Sequence, residues 1–333
     1  MILPGSLMRA EIAEAPAVFS RSTMQRLPPT ALSLGAARAF YTIARGSSDA
    51  AANILAYEFM RETGKPMTSL PPSVFSLGRG VDMAGTVALV VSQSGASEDL
   101  VRSANGVRAA GGTVISIVNQ PHSPVEAASD ICIPIGAGPE LAVPATKSVI
   151  GAIAAGMALL GHLVPDYGLR SRASAQTLAG LAGIEHPETD ALVAALLRAQ
   201  HVYVIGRDTG FGAAQELALK LKETCALHAE AYSSSEVLHG PLQLATKPLL
   251  VLILDTGFTD VQNSLDTAET RFRRAGGTVF RLRPGDGGAT NLTPAAAAAV
   301  LLFLTYPLVL AAALALGHDP DRPATLSKVT QTR

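Results

Sequence analysis

The chain has 333 residues, enough for two domains of ordinary size rather than one small core. Its net charge is −1 with only 16% charged residues, which excludes the basic surface that nucleic-acid binding needs and leaves room for a local site that takes a small anion. Cys132 and Cys225 stand far apart in apolar surroundings, which predicts reduced thiols in a cytoplasmic protein, with no disulfide framework and no metal-ligand spacing.

The start, MILPGSLMRAEIAEAP, has neither a basic leader nor an unbroken apolar run, so it does not read as a signal peptide; residues 1–28 read as a helical segment. Beyond it the chain repeats itself at an offset of roughly 160 residues, the kind of self-similarity that sets an architecture. Phe40–Arg45 matches Val202–Arg207, Thr86–Gly95 matches Pro248–Gly257, and AGGTV occurs at both Ala110–Val114 and Ala275–Val279. Three matches in the same order predict two related halves, 29–165 and 189–320, joined by the polar, mixed segment 166–188.

Each half alternates a short apolar run, a Gly/Ser-rich turn and a helical stretch. Val87–Val91, Val114–Val118 and Leu249–Leu254 are continuously apolar, as strands buried on both faces of a parallel sheet must be. The pattern predicts an α/β fold in which each half is a three-layer sandwich. Ligands should then bind at the loops after Ala44, Val91 and Ile205, beyond the carboxyl ends of the strands.

Ser92-Gln93-Ser94-Gly95-Ala96-Ser97 lies between a buried strand and a helix starting near Ser97-Glu98. Open N–H groups at a helix start, a glycine for close approach and three hydroxyls predict a monophosphate cradle. Ser47 and Ser48, after the preceding strand, are placed to complete it. Plain helix capping by serine is the competing reading. The second half has Leu254-Asp255-Thr256-Gly257 at the equivalent loop, with an acidic residue and few hydroxyls. It should bind phosphate poorly, leaving one composite site per repeat pair.

Further on, a Gly-rich turn at Gly206–Gly212 precedes a helix carrying Lys220 and Glu223 on one face. A solvent-exposed ion pair, supported by Glu216, is the bland reading; acid–base chemistry is the sharper one. Ser233–Glu236 reads as a capping box, and His239 sits just before the Gly240-Pro241 stop. A histidine at a helix C-terminus is favoured in its charged form and can donate a proton. Pro294–Gly317 is long and apolar enough to span a bilayer, but Thr305-Tyr306-Pro307 interrupts it and no Lys/Arg cluster flanks it. It reads as a buried helix at a domain or subunit contact. The tail, 321–333, carries Lys328, to which composition alone assigns no role.

The strings Met8–Ile12, SQSGAS, Pro139–Lys147 (PELAVPATK), LKETCALHAEAYSSSEVLHGP and LSKVT together resemble the tandem sugar isomerase (SIS) proteins, and are especially similar to the isomerase half of glucosamine-6-phosphate synthase. The resemblance spans nearly the whole chain and implies two flavodoxin-like SIS domains. It implies phosphate binding by Ser48, Ser92, Gln93, Ser94 and Ser97, with Val143 contacting sugar hydroxyls through its backbone. It implies that Glu223 moves a proton between C1 and C2, and that Lys220 lines the same pocket. His239 would open the sugar ring in the neighbouring subunit of a homodimer, and Lys328 would form a Schiff base. Ala145 departs from the synthase, which has a serine there, and this leaves the sugar open. No glutaminase segment with its catalytic cysteine is present in the sequence. The reading is therefore a SIS-type deaminase that turns glucosamine 6-phosphate and water into fructose 6-phosphate and ammonia, with no metal or organic cofactor. A deaminase or deglycase for galactosamine or fructosamine phosphates, an aldose–ketose isomerase and a sugar-phosphate sensor are the alternatives.

Overall fold

The computed structural model describes residues 3–328, without the side chains of residues 30, 32 and 33. Five strands, β1 (Ala39–Ile43), β2 (Met67–Ser69), β3 (Thr86–Ser92), β4 (Thr113–Val118) and β5 (Ile131–Pro134), form one sheet in the order β2-β1-β3-β4-β5. Four more, β6 (His201–Gly206), β7 (His228–Ser233), β8 (Leu250–Leu254) and β9 (Thr278–Leu282), form a second in the order β7-β6-β8-β9. Every pairing is parallel. The first order is that of flavodoxin-like sheets, whose switch point lies between β1 and β3.

The repeat lands where it should. Its three matches fall on β1 and β6, β3 and β8, and β4 and β9, which are neighbours in the same sense in both sheets. All seven residues of β3 and all five of β8 are buried, because helices cover both faces.

Eleven helices are described: α1 (Ser6–Thr23), α2 (Gly46–Thr63), α3 (Ser73–Ser76), α4 (Glu98–Ala109), α5 (Pro124–Ala127), α6 (Lys147–Leu163), α7 (Pro165–Ala179), α8 (Thr189–Arg198), α9 (Thr209–Cys225), α10 (Thr259–Arg274) and α11 (Pro294–Ala315). The helices that follow the first strand of each sheet, α2 and α9, pack on each other and join the halves. Most of the segment between the halves is itself helical, and α7 buries Tyr167, Ser171, Ser174 and Leu178. Among the described residues α11 is the one helix long and apolar enough to cross a membrane, and 83% of its most apolar window is buried inside the fold. A helix apolar on every side belongs in such a core.

α1 and the tail are tied together. The Asp321 carboxylate, itself buried, accepts the N–H groups of Leu7 and Met8 at 2.9 and 2.8 Å, so it caps α1 from 314 residues away in the first case. Residues 329–333, the last part of the expected tail, lie outside the described residues.

Candidate active site

The first cradle sits at the switch point. Gly95 has φ +61°, and a Cβ there would come within 2.2 Å of Ser123 Oγ, so only glycine fits. Ser92 Oγ accepts the Gly95 N–H at 3.0 Å and Ser94 Oγ accepts that of Ala96 at 3.3 Å, which holds the loop in a tight curl. Ser97 occupies the N-cap of α4 in extended conformation, yet its hydroxyl makes no capping bond. The capping reading therefore fails at Ser97, and its hydroxyl stays available beside an open helix start. Gln93, Ser94 and Ser97 are half-buried.

Ser47 and Ser48 lie in the first turn of α2, facing this loop across neighbouring strands β1 and β3. Arg45, which sequence reasoning passed over, spans the crevice: its Nε donates to the buried Asp99 carboxylate at 2.7 Å, with half of its side chain exposed.

The Lys220–Glu223 pair is not at the surface. Lys220 is fully buried, bonded to the Glu223 carboxylate and 3.5 Å from that of Glu216, whereas Glu223 keeps 24% of its side chain accessible. This overturns the exposed-pair reading. Burial opposes the charge on Lys220, but Glu216 and Glu223 outweigh it and raise its pKa overall. Glu216, also fully buried, is pushed up to about 7, mainly by desolvation; Lys220, Ser47 and Tyr306 pull the other way. Tyr306, from the middle of α11, donates to Glu216 at 3.2 Å. Ser47, in the first turn of α2, is thereby joined to the Glu216–Lys220–Glu223 cluster.

Lys328 arrives from the tail. Its Nζ donates to Ala142 O at 2.6 Å and to the buried Glu140 carboxylate at 3.3 Å. Glu140 in turn accepts the backbone N–H groups of Thr146 and Ser148, both at 3.0 Å, and its charge is felt by Lys220. Glu11 of α1 holds the same loop through the N–H groups of Leu141 and Ala142. Residues 324–326 and Glu223 line one cleft of about 540 Å³. The Val143 N–H is taken by Asp321 O at 3.2 Å.

Three local expectations need correction. Ser233 ends β7, and its hydroxyl accepts from Arg207 rather than capping a helix, so the capping box does not form. His239 closes a three-residue 3-10 turn, Glu236–Leu238, too short to carry a helix dipole, and is exposed. Gly210 and Gly212 lie inside α9 instead of in a turn before it, where neighbours leave no room for a side chain: a Cβ on Gly210 would be 2.9 Å from Leu254 O of β8, and one on Gly212 2.8 Å from Ile54 N of α2. Glu140, Glu216 and Tyr306 were missed as site residues. The first stands in the PELAVPATK string, which was the one signal for it; Tyr306 broke an apolar stretch and was read only as an interruption. Among the described residues no three His, Cys, Asp or Glu side chains converge as a metal set would.

The SIS domain model matches residues 33–161 and 195–280. Glutamine–fructose-6-phosphate aminotransferase (isomerizing) from Aeropyrum pernix is 30% identical over 297 residues, covering 80% of this chain and 46% of its own length. The Zymomonas mobilis enzyme of that name is 26% identical over 96% of this chain and 58% of its own. The chain thus spans about half the length of the curated relatives it matches. Among solved structures, a phosphosugar isomerase candidate from Silicibacter pomeroyi is 32% identical with a TM-score of 0.82, covering 94% of this chain and 99% of that one. Glucosamine-6-phosphate deaminase from Thermotoga maritima shares the fold at 19% identity and a TM-score of 0.74, covering 98% and 100%.

Proposed function

We propose, from the premise that this chain belongs to the SIS domain family of phosphosugar isomerases, that it deaminates an amino sugar phosphate, glucosamine 6-phosphate first among candidates. The observation that carries the reading is the burial of Lys220 beneath a part-exposed Glu223, in a cleft lined by the segment that brings in Lys328. A surface ion pair has no use for such an arrangement.

In this reading the phosphate is held by Ser48, Ser92, Gln93, Ser94 and Ser97, with the loop N–H groups around Gly95. Binding the unreactive end fixes C1 and C2 against the base. His239 of the partner subunit in a homodimer opens the ring. Glu223 takes the proton from C2 of the open amino aldehyde and returns it to C1, leaving a ketimine at C2. The Lys328 amine adds at C2 and ammonia leaves; water then frees the lysine as the ketone forms. The sum is amino sugar phosphate plus water to keto sugar phosphate plus ammonia. Release in this direction needs no co-substrate except water. Ala145, half-buried and without a hydroxyl, favours testing galactosamine and fructosamine phosphates beside glucosamine 6-phosphate.

The test is ammonia release across that panel, with keto sugar phosphate formed from the 2-amino aldose phosphates and aldose phosphate from the fructosamine phosphates. Interconversion of aldose and ketose phosphates without ammonia would replace this reading by an isomerase. Tight binding of fructose 6-phosphate with no turnover of any substrate would replace it by a sensor. Sharing of His239 is tested by mixing Glu223→Gln and His239→Ala chains: verified heterodimers should regain part of the activity, and none regained would argue against sharing between subunits.

A further inference from the structure

We propose that the cleft beyond the carboxyl ends of β8 and β9 is a second, non-catalytic binding site for a small phosphate ester. The proposal rests on reading the first cradle as the phosphate site, and it reverses the expectation that the second half binds phosphate poorly.

The two loops share their parts but not their spacing. Gly257, one residue before the N-cap of α10, has φ +77°, and Gly95, two residues before that of α4, has +61°; Phe258, the N-cap of α10, has φ −69° and ψ 128°, and Ser97 has −67° and 124°. Neither helix start is capped by its N-cap side chain. A cleft of about 600 Å³ opens at this start, lined also by Arg170, Arg283 and Asn291. Thr256, more than nine-tenths buried in its wall, has a hydroxyl with no hydrogen-bond partner among the described residues.

Asp255 read as a phosphate repellent because its charge stands in the loop. The fold neutralises it. Its carboxylate is fully buried, accepts the Gly257 N–H at 2.8 Å, and binds Arg281 at 2.9 Å and Arg283 at 3.0 Å. Burial would raise its pKa, but Gln262, the Gly257 N–H and the two arginines outweigh that and lower it. The effect is to plant the half-exposed guanidinium of Arg283 at the cleft, as buried Asp99 plants Arg45 at the first cradle. The remaining charges are accounted for: Asp286 accepts from His186 and the Arg283 N–H, Arg170 pairs with Glu62, and Asp260 is exposed on the first turn of α10.

The acid–base group is what the copy lacks. Arg61 stacks on Phe258 at 4.4 Å, so α2 approaches this cleft with a guanidinium. A site with the cradle and no base binds without turning over. A sugar phosphate fits the volume and the polar lining.

The experiment is calorimetric titration of the full chain with fructose 6-phosphate and, separately, inorganic phosphate. Two ester sites per chain are expected. Ser97→Asp, harmless as an N-cap but repulsive to phosphate, should remove one. Thr259→Pro, which deletes an N–H at a position where proline suits a helix, and Arg283→Met should each weaken the other at least tenfold. A single site lost in Ser97→Asp and unchanged in both other variants would overturn the second site and leave the first cradle standing. Two sites both untouched by Thr259→Pro and Arg283→Met would place the second elsewhere and overturn it too. Inorganic phosphate filling the cleft with the ester excluded would overturn the ester. No site in the wild-type chain would sink the first cradle as well.

Discussion

The two halves carry the same buried pair with its charges exchanged. The offset that aligns Arg45 with Arg207 also aligns Glu58 with Lys220 and Arg61 with Glu223. In α2 the inner member is a carboxylate, 0% exposed, with an arginine outside it at 27%; in α9 the inner member is an amine, 1% exposed, with a carboxylate outside it at 24%. Geometry is retained and chemistry inverted. Only α9 presents a proton acceptor to a cleft, whereas Arg61 is absorbed by Asp208 at 2.7 Å and by the Phe258 ring. One duplicated framework thus carries a part-exposed carboxylate in one copy and a guanidinium brace in the other.

The sharpest way to break this comparison is to neutralise the two outer members in turn. Glu223→Gln should lower kcat by about 10²–10⁴ while leaving phosphate ester binding intact, the range expected for a lost general base. Arg61→Gln should leave kcat within a few fold. Equal losses in steady-state assays would mean that the copies share one role.

Next come the inner members. Lys220→Met strands Glu216 and Glu223 without a buried cation and should cost about 3–5 kcal/mol in urea unfolding at pH 6. Glu58→Gln should cost about 1 kcal/mol at the same pH, because Glu58 is pushed up to about 7, chiefly by burial, against Arg61, the Tyr167 hydroxyl and the Ala295 N–H. The sign for pH follows. Unfolded, Glu58 and Glu216 release their protons from about pH 4.5; folded, from about 7, so stability falls as pH rises between those values and is level above them. At 1.36 kcal/mol per unit the loss is about 3 kcal/mol apiece at most. Glu58→Gln should remove roughly half of that slope. An unchanged slope would show that Glu58 ionises normally in the fold.

The smallest contrast separates the two cradle glycines. Gly257→Ala meets nothing within 4 Å and carries only the positive-φ penalty, about 1 kcal/mol. Gly95→Ala meets Ser123 as well, and should cost more and weaken ester binding at the first cradle. Equal melting shifts would show that the Ser123 contact yields freely.

What could be read beforehand follows from what sequence encodes locally. The runs at β1, β3 and β4 and their copies are continuous and apolar, so the sheets and the repeat were legible. The SxSG loop was legible because a strand, a glycine and a helix start stand consecutively in it. The burial of Lys220 was not, since Glu216, Lys220 and Glu223 would show the same spacing on an exposed helix; what covers α9 is α2 and α11, both far from it along the chain. Glu140 depends on a tail lysine 188 positions away, and no local pattern marks that. The Ser233–Glu236 reading failed because strand pairing of β7 with β6 claims Ser233 first.

The Asp321 carboxylate has a consequence for the order of biosynthesis. The N–H groups it caps are made on the ribosome more than 300 residues before their acceptor. α1 therefore waits through more than 300 residues of synthesis for its cap. The stretch that supplies the cap also brings Lys328 to Glu140 seven positions on, so α1 is sealed and the Lys328 amine seated by the same segment. A nascent chain would then hold Lys328 at Glu140 only after the loop that carries Glu140 has been made.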